Sequence, residues 1–160
     1  MTNPELLKDL PADAAERVLA LGTKVTLPSG TVLFRLGETA DRVFIVTRGN
    51  IALTLPIQVL GQEENVLIEE RSTGQALSWS ALIPPYRLTL TATAPAEAEV
   101  LALPRDVLLE HFEKEPEIGY AVARRALEVA SQRLQVFQAM WLREMQHLVQ
   151  LRTKSLRESA

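Results

Sequence analysis

The chain has 160 residues, which corresponds to one domain with a single sizeable core. Its net charge is −3 and it lacks a basic tail, so the electrostatic signature of a nucleic-acid-binding protein is missing. The absence of cysteine excludes disulfides, thiolate metal sites and cysteine nucleophiles, and it is compatible with a reducing cytoplasm.

Targeting and membrane signals are also missing from the sequence. The first ten residues are polar and acidic, without the basic start and apolar run of a signal peptide. No stretch reaches the roughly 18 uninterrupted apolar residues that a membrane helix needs. We therefore expect a cytoplasmic protein with no membrane partner.

Residues 1–22 are expected to form short helices. Pro4 and Pro11 stand near two helix starts, where proline is tolerated because the first N–H groups of a helix have no partner within it. Gly22 marks the stop of this segment.

Residues 23–103 change character and predict β-structure. Apolar runs of strand length alternate with turns, and regular spacing of this kind is typical of an all-β barrel or sandwich. Gly30, Gly37 and Gly49 lie where the chain must reverse, and glycine adopts positive φ there at little cost. The expected strand segments are residues 24–27, 31–34, 42–46, 51–55, 65–69, 88–94 and 99–103.

Residues 104–151 are expected to be helical. A short helix opens at Pro104 and runs through Phe112, and a longer one opens at Pro116 with acidic neighbours that suit the helix dipole. The long helix is expected to end near Leu151, and residues 152–160 are expected to be a frayed tail.

The long helix carries an apolar heptad repeat. An average spacing of about 3.5 residues favours a left-handed coiled-coil pair, with Glu144 as the exception on the seam. Residues 117–126 are expected to pack on their own barrel, whereas the later part extends past it and predicts a homodimer. The seam residues are Leu127, Ala130, Leu134, Phe137, Trp141, Leu148 and Leu151.

Three stretches of the sequence and one glycine resemble one known family. Residues 27–38, 41–53 and 101–106, together with Gly74, are similar to segments of the cyclic-nucleotide-binding domains of the catabolite activator protein and FNR regulator superfamily. The resemblance covers about residues 10–145. It implies a single domain over residues 1–160, mainly β with flanking helices: a double-stranded β-helix (jelly-roll) barrel followed by a long C-terminal helix.

The resemblance also implies a ligand pocket. In this family a short helix within the barrel presents backbone N–H groups to a cyclic phosphate, an arginine adds a charged contact, and a glutamate binds the ribose. Residues 74–89 match that region, with Ser78 or Ser80 as a helix cap and Arg87 as the candidate phosphate ligand. The candidate ligand-binding residues are Leu77, Ser78, Trp79, Ser80, Ala81, Arg87 and Leu88.

Two departures from the family pattern affect this pocket. Trp79 stands at the position of the ribose-binding glutamate, with Ser78 in place of a glycine, and an indole offers a hydroxyl no acceptor. The path from Trp79 to Arg87 is about one residue short, so that a slip would turn Arg87 outward and bring Tyr86 to its place.

Three interpretations of the pocket therefore stay open. The first is ordinary cyclic AMP binding, which the missing acceptor disfavours. The second is another small anionic or aromatic ligand that stacks on Trp79. The third is a degenerate pocket that Trp79 fills. A cyclic nucleotide is the single cofactor-like ligand that the resemblance implies.

The sequence gives little support to the hypothesis that the protein is an enzyme. A cupin metal centre needs several histidines inside the barrel, but the chain has only His111 and His147, which follow the barrel and are expected on the surface. Residues 63–64 and 69–70 are acidic pairs expected to be solvated edge charges. No Walker loop and no dinucleotide-binding glycine motif occurs. We expect no catalytic residue and no metal site.

These expectations combine into a functional hypothesis. The family's transcription factors carry a helix-turn-helix domain after the long helix, and the sequence reaches Ala160 before one would fit, so direct DNA binding is not expected. The preferred hypothesis is a non-catalytic regulatory or sensor module, dimeric through its long helix, that shifts between two arrangements. The alternative is a structural adaptor that binds another protein and has a non-binding pocket.

Overall fold

The computed structural model describes residues 4–158, with side-chain environments for residues 4–154. The chain forms two compact units that divide between Arg125 and Ala126. The first unit contains the N-terminal helices, both sheets and the start of the long helix, and the second contains the remainder of that helix. A single domain was the expectation from the sequence.

The N-terminal segment is helical, as predicted. A 3-10 turn spans Glu5–Leu7, and helix α1 spans Ala12–Leu19 directly after Pro11. The predicted start at Asn3 lies outside the described residues. The apolar residues of this segment are buried, with Leu7 and Val18 at 2 % and 1 % exposure, so these short helices form part of the core.

Strands of the described chain form two four-stranded antiparallel sheets, with orders β1-β8-β3-β6 and β2-β7-β4-β5. This arrangement is the predicted jelly-roll type of fold. Strand β7 is shorter than the predicted segment 88–94, β8 extends the segment 99–103 by one residue at each end, and β4 and β5 run well beyond the predicted 51–55 and 65–69. The strands are β1 (Thr23–Leu27), β2 (Val32–Phe34), β3 (Arg42–Arg48), β4 (Asn50–Val59), β5 (Gln62–Ser72), β6 (Ala76–Leu77), β7 (Thr91–Thr93) and β8 (Ala98–Pro104).

Strand β3 lies at the centre of the core. Its ring residue Phe44 stacks on Phe34 of the second sheet, with centroids 5.9 Å apart. Its neighbours Val43 and Ile45 point to the other face and line a small apolar cavity with Leu6 and other residues of the helices. A strand covered on both faces needs apolar residues without alternation, which explains the continuous apolar run in β3.

Two turns of the barrel show why particular residues stand there. Gly49 has φ +78°, and a Cβ atom at this position would lie 2.9 Å from the carbonyl oxygen of Glu97. Gly30 and Gly37 also have positive φ, so the predicted role of all three glycines is confirmed. The β4–β5 hairpin turns through two residues of positive φ, of which Leu60 is fully exposed.

Two helices follow the sheets, α2 (Arg105–Lys114) and α3 (Pro116–Glu158). Helix α3 continues to Glu158, so the expected end near Leu151 is corrected, whereas fraying of the terminal residues stays a prediction. The segment after Leu151 lacks proline and glycine, and nothing in its sequence breaks the helix. No helix in the described part of the chain is long and apolar enough to cross a membrane.

Candidate functional site

The stretch that resembles the ligand-binding region, residues 74–89, is called the cassette below. It begins with strand β6, which pairs antiparallel with β3 through Ala76 opposite Ile45 and Leu77 opposite Phe44. Ala76 and Leu77 are each 1 % exposed. The candidate residue Leu77 is therefore part of the core, and it fixes the start of the cassette to the first sheet.

The chain next forms a single 3-10 turn, Trp79–Leu82. Ser78 precedes it in a left-handed conformation, with φ 58° and ψ 33°. The Ser78 hydroxyl donates to the carbonyl of Arg42 at 2.7 Å and makes no cap, which corrects the capping role expected for it. Ser80 lies inside the turn, and Ala81 is fully buried.

Hydrogen bonds within the turn occupy some of its backbone donors. The Ala81 N–H donates to the Ser78 carbonyl at 2.9 Å, and the Ile83 N–H donates to the Ser80 carbonyl at 3.2 Å. A phosphate bound by these two amides would have to break those bonds first.

The second half of the cassette is tied to the loop before β3. The Leu88 N–H donates to the Glu38 carbonyl at 2.9 Å, and the Ala40 N–H donates to the Tyr86 carbonyl at 2.7 Å. The Arg105 guanidinium lies 4.5 Å from the centre of the Tyr86 ring, a cation–π contact from the first residue of α2. The cassette therefore touches the start of the C-terminal helices.

Arg87 is exposed and uses its side chain within the protein. Its Nη1 atom donates to the Gly37 carbonyl at 2.8 Å, and its backbone forms an isolated bridge with Thr39. Whether the short path from Trp79 turns Arg87 away from the pocket stays a prediction. A phosphate contact by Arg87 stays a prediction.

The candidate residues differ in their accessibility. Leu77, Ala81 and Leu88 are buried, so they can shape a pocket only from within the core. Three consecutive residues, Ser78, Trp79 and Ser80, are half-buried. Among the candidate residues, these three and the exposed Arg87 are the ones that a ligand could contact.

A buried arginine next to the cassette was missed by the sequence reasoning. Arg71 is 4 % exposed, and it donates to Glu69 at 2.9 Å, to Glu5 at 3.1 Å and to the Ala76 carbonyl at 3.1 Å. Glu69 is therefore a half-buried partner of Arg71, which corrects its interpretation as a solvated charge. The register of β4 and β5 indicates that Arg71 is buried, because Arg71 lies opposite the buried Ile51.

A second charged group joins α1 to the junction of α2 and α3. Arg17 donates to Asp13 at 2.8 Å and to both carboxylate oxygens of Glu115, at 2.8 and 3.2 Å. The hydrogen bond from Arg17 is the largest cause that holds the pKa values of Asp13 and Glu115 below their ordinary values of 3.8 and 4.5. These carboxylates are thus ionised more readily than usual.

The histidines lie apart from the cassette. The His111 side chain is only 15 % exposed, with Nε2 3.4 Å from Glu115, which corrects its expected surface position; His147 is exposed as expected. The ring centre of His111 lies 6.4 Å from that of its neighbour Phe112 in α2. Within the described ranges, no three metal-ligating side chains form a group.

Together, the two sheets, the cassette between β6 and β7, and the helices after β8 define a jelly-roll domain of the cyclic-nucleotide-binding type. The family model of the cyclic nucleotide-binding domain matches residues 24–115, more than half of the chain. The chain belongs to this family.

Individual relatives agree with this assignment. The cyclic nucleotide-gated potassium channel mll3241 of Mesorhizobium japonicum is 30 % identical over 118 residues, which are 74 % of this chain and 30 % of the channel. The chain thus spans about a third of the length of this relative.

Two solved structures share the fold. One is the N-terminal domain of a transcriptional regulator from Streptomyces coelicolor A3(2), with a TM-score of 0.68, 24 % identity and coverage of 80 % of this chain and 89 % of that chain. The other is the catabolite activator protein of Thermus thermophilus, with a TM-score of 0.67, 21 % identity and coverage of 84 % and 63 %.

Proposed function

We propose that this domain is a non-catalytic regulatory module whose cassette does not bind cyclic AMP in the usual way of its family. This proposal rests on the residue that begins the 3-10 turn of the cassette. The cassette keeps its place between β6 and β7, but this residue is Trp79. The indole gives a ribose hydroxyl no acceptor. Arg87 supports the same conclusion, because its guanidinium already binds the Gly37 carbonyl.

Calorimetric titration of the purified protein with cyclic AMP, cyclic GMP and cyclic di-GMP tests this proposal. We expect no heat from cyclic AMP at concentrations that saturate ordinary members of the family. Micromolar binding of cyclic AMP would overturn the proposal. Binding of another nucleotide in the panel would identify a sensor of a different ligand, and the half-buried residues Ser78, Trp79 and Ser80 would be its first contacts.

We also infer that the module is a homodimer through α3. The predicted seam residues are largely exposed in the single chain, for example Leu127 at 71 % and Trp141 at 62 %. An exposed apolar stripe of this length is typical of a helix that needs a partner. Further exposed seam residues are Leu134, Phe137, Leu148 and Leu151, while Ala130 is half-buried.

Light scattering coupled to gel filtration measures the oligomeric state. We expect a dimer for the wild-type chain and a monomer for Leu134→Glu, because the substitution places a charge on the apolar stripe. Gln150→Glu is the matched control, since it adds the same charge on the polar side of the helix. A wild-type monomer, or equal behaviour of both variants, would contradict dimerisation through this stripe.

The adaptor alternative has no observation of its own in its favour among the described residues. If the protein is a dimer and binds no nucleotide of the panel, that result would favour the adaptor alternative.

A further inference from the structure

Both backbone groups of Ala76 in the edge strand β6 bind side chains. Strand β6 is the edge strand of its sheet and has β3 as its neighbour. The Ala76 N–H donates to Glu5 at 3.1 Å, and the Ala76 carbonyl accepts from Arg71 Nε at 3.1 Å. Two side chains therefore satisfy the groups that a further strand would otherwise bind.

The two side chains also bind each other in a buried setting. Arg71 Nη2 donates to the same Glu5 oxygen, Oε2, that accepts from Ala76, at 3.1 Å. The side chains of Arg71 and Glu5 are 5 % and 18 % exposed. A buried guanidinium is tolerated only with its partners in place, so loss of Glu5 leaves a charge with one carboxylate fewer.

The main chain of Glu5 joins the cassette to the long helix. Its N–H donates to the Gly74 carbonyl at 2.8 Å, at the first residue of the cassette. Its carbonyl accepts from Arg125 Nε at 3.0 Å, and Arg125 belongs to α3. A displacement of this one residue therefore affects contacts at both places.

We propose that Glu5 and Arg71 are positioning residues that couple the cassette to α3. In this arrangement the N-terminal turn Glu5–Leu7 acts as a latch: Glu5 binds Ala76 and Arg125 at the same time, and its displacement breaks its hydrogen bonds to both. The proposal rests on the proposed regulatory function, because it names the route by which a change at the cassette reaches the helix.

Hydrogen exchange of the full chain, without nucleotide, tests the latch in the variants Glu5→Ala and Glu5→Gln. In Glu5→Ala we expect exchange to become about tenfold faster both at residues 76–82 and at residues 118–125, because the charged hydrogen bonds that seat the turn are lost. Glu5→Gln keeps an acceptor for the Ala76 N–H and should give a smaller increase at both segments.

Glu97→Ala is the matched control, because it removes an exposed carboxylate whose partner is Arg48, at 2.7 Å, rather than Ala76 or Arg71. It should leave both segments unchanged. Faster exchange at residues 76–82 alone would overturn the coupling, as would a uniform increase that includes β1 and β8. Arg71→Met should reproduce the pattern of Glu5→Ala, and it replaces that variant if Glu5→Ala does not fold.

The exchange measurement can fail separately from the test of the proposed function. Exchange is measured without any nucleotide, so a failed titration does not bear on it. Light scattering of the same samples shows whether a variant has changed its oligomeric state, and residues 118–125 precede the seam.

Discussion

Trp79 begins the 3-10 turn of the cassette, and its half-buried indole carries one N–H donor and no acceptor. We expect Trp79→Glu to bind cyclic AMP at least about tenfold more tightly than the wild-type chain, because a carboxylate can accept from the ribose hydroxyl. Titration calorimetry measures this gain.

Trp79→Gln is the control for that experiment. It removes the indole without adding a charge, so it should gain less than Trp79→Glu. If neither variant binds better than the wild-type chain, the indole is not the obstacle. The obstacle would then be the path of the chain between Trp79 and Arg87.

Gly49 lies where both backbone conformation and space require glycine. We expect Gly49→Ala to lower the free energy of unfolding by at least about 2 kcal/mol, because positive φ and the approach of the Glu97 carbonyl act together. Gly30→Ala should lose only about 1 kcal/mol, since Gly30 has positive φ with open space around it. Urea unfolding compares the two, and equal losses would show that the Glu97 contact is irrelevant.

At the scale of the element, α3 suggests an adjustment of the predicted heptad. Viewed down an ideal helix, Met145 lies about 40° and Glu144 about 60° from Trp141, on opposite sides. Met145 is half-buried and Glu144 is exposed. Taking Met145 into the seam in place of Glu144 changes the steps between Trp141 and Leu148 from three and four residues to four and three, so that Leu148 and Leu151 keep their positions. The exception at Glu144 is then a flanking charge.

This seam gives a prediction for the proposed dimer. Met145→Glu should weaken self-association at least about tenfold, because it places a charge in the apolar seam, whereas Glu144→Leu should change it less than about threefold. Sedimentation equilibrium measures both dissociation constants. A large gain in Glu144→Leu with little loss in Met145→Glu would favour the seam through position 144 instead.

The elements themselves were largely predictable from local pattern. Apolar runs bounded by glycine turns identified β1 to β4, and proline positions identified the helix starts. The segment 88–94 was overestimated because Leu88 and its neighbours are held by the loop at Glu38 and Ala40 rather than by a sheet partner. A local pattern cannot distinguish a strand from an extended loop that is bound in this way.

The cassette was predictable in position but not in its contacts. Family likeness located it, and the odd spacing after Trp79 indicated that Arg87 could turn outward. The partners of Arg71 could not be read from the sequence, because Glu5 lies 66 positions away along the chain. Tertiary pairing, rather than periodicity, decides which charges are buried.

At the scale of the whole molecule, Arg17 connects the first helix with the last two. Asp13 and Glu115 have lowered pKa values in the folded state, so their contribution to stability is present above the ordinary values of 3.8 and 4.5 and is lost as the pH falls through the folded values. Arg17→Gln should therefore be less stable than the wild-type chain at pH values near neutrality, about 7, and this difference should shrink well below pH 4.

Urea midpoints at both pH values measure that difference. Arg48→Gln is the control, because it breaks the exposed pair with Glu97 on a different part of the molecule. Its effect should be small at either pH. A loss in Arg17→Gln that is the same in acid and at neutrality would show that the guanidinium acts through packing rather than through the two carboxylates.

The hydrogen bonds from Glu5 and Arg71 to the edge of β6 also affect the tendency of the protein to aggregate during storage. A protease that trimmed the chain past Glu5 would uncover the Ala76 edge of the first sheet, and an uncovered strand edge is a template for a strand from another molecule. A proteolysed preparation should therefore become turbid and form β-rich aggregates, whereas the intact chain should stay in solution. Glu5 would then protect the edge of this sheet from pairing with a strand of another molecule.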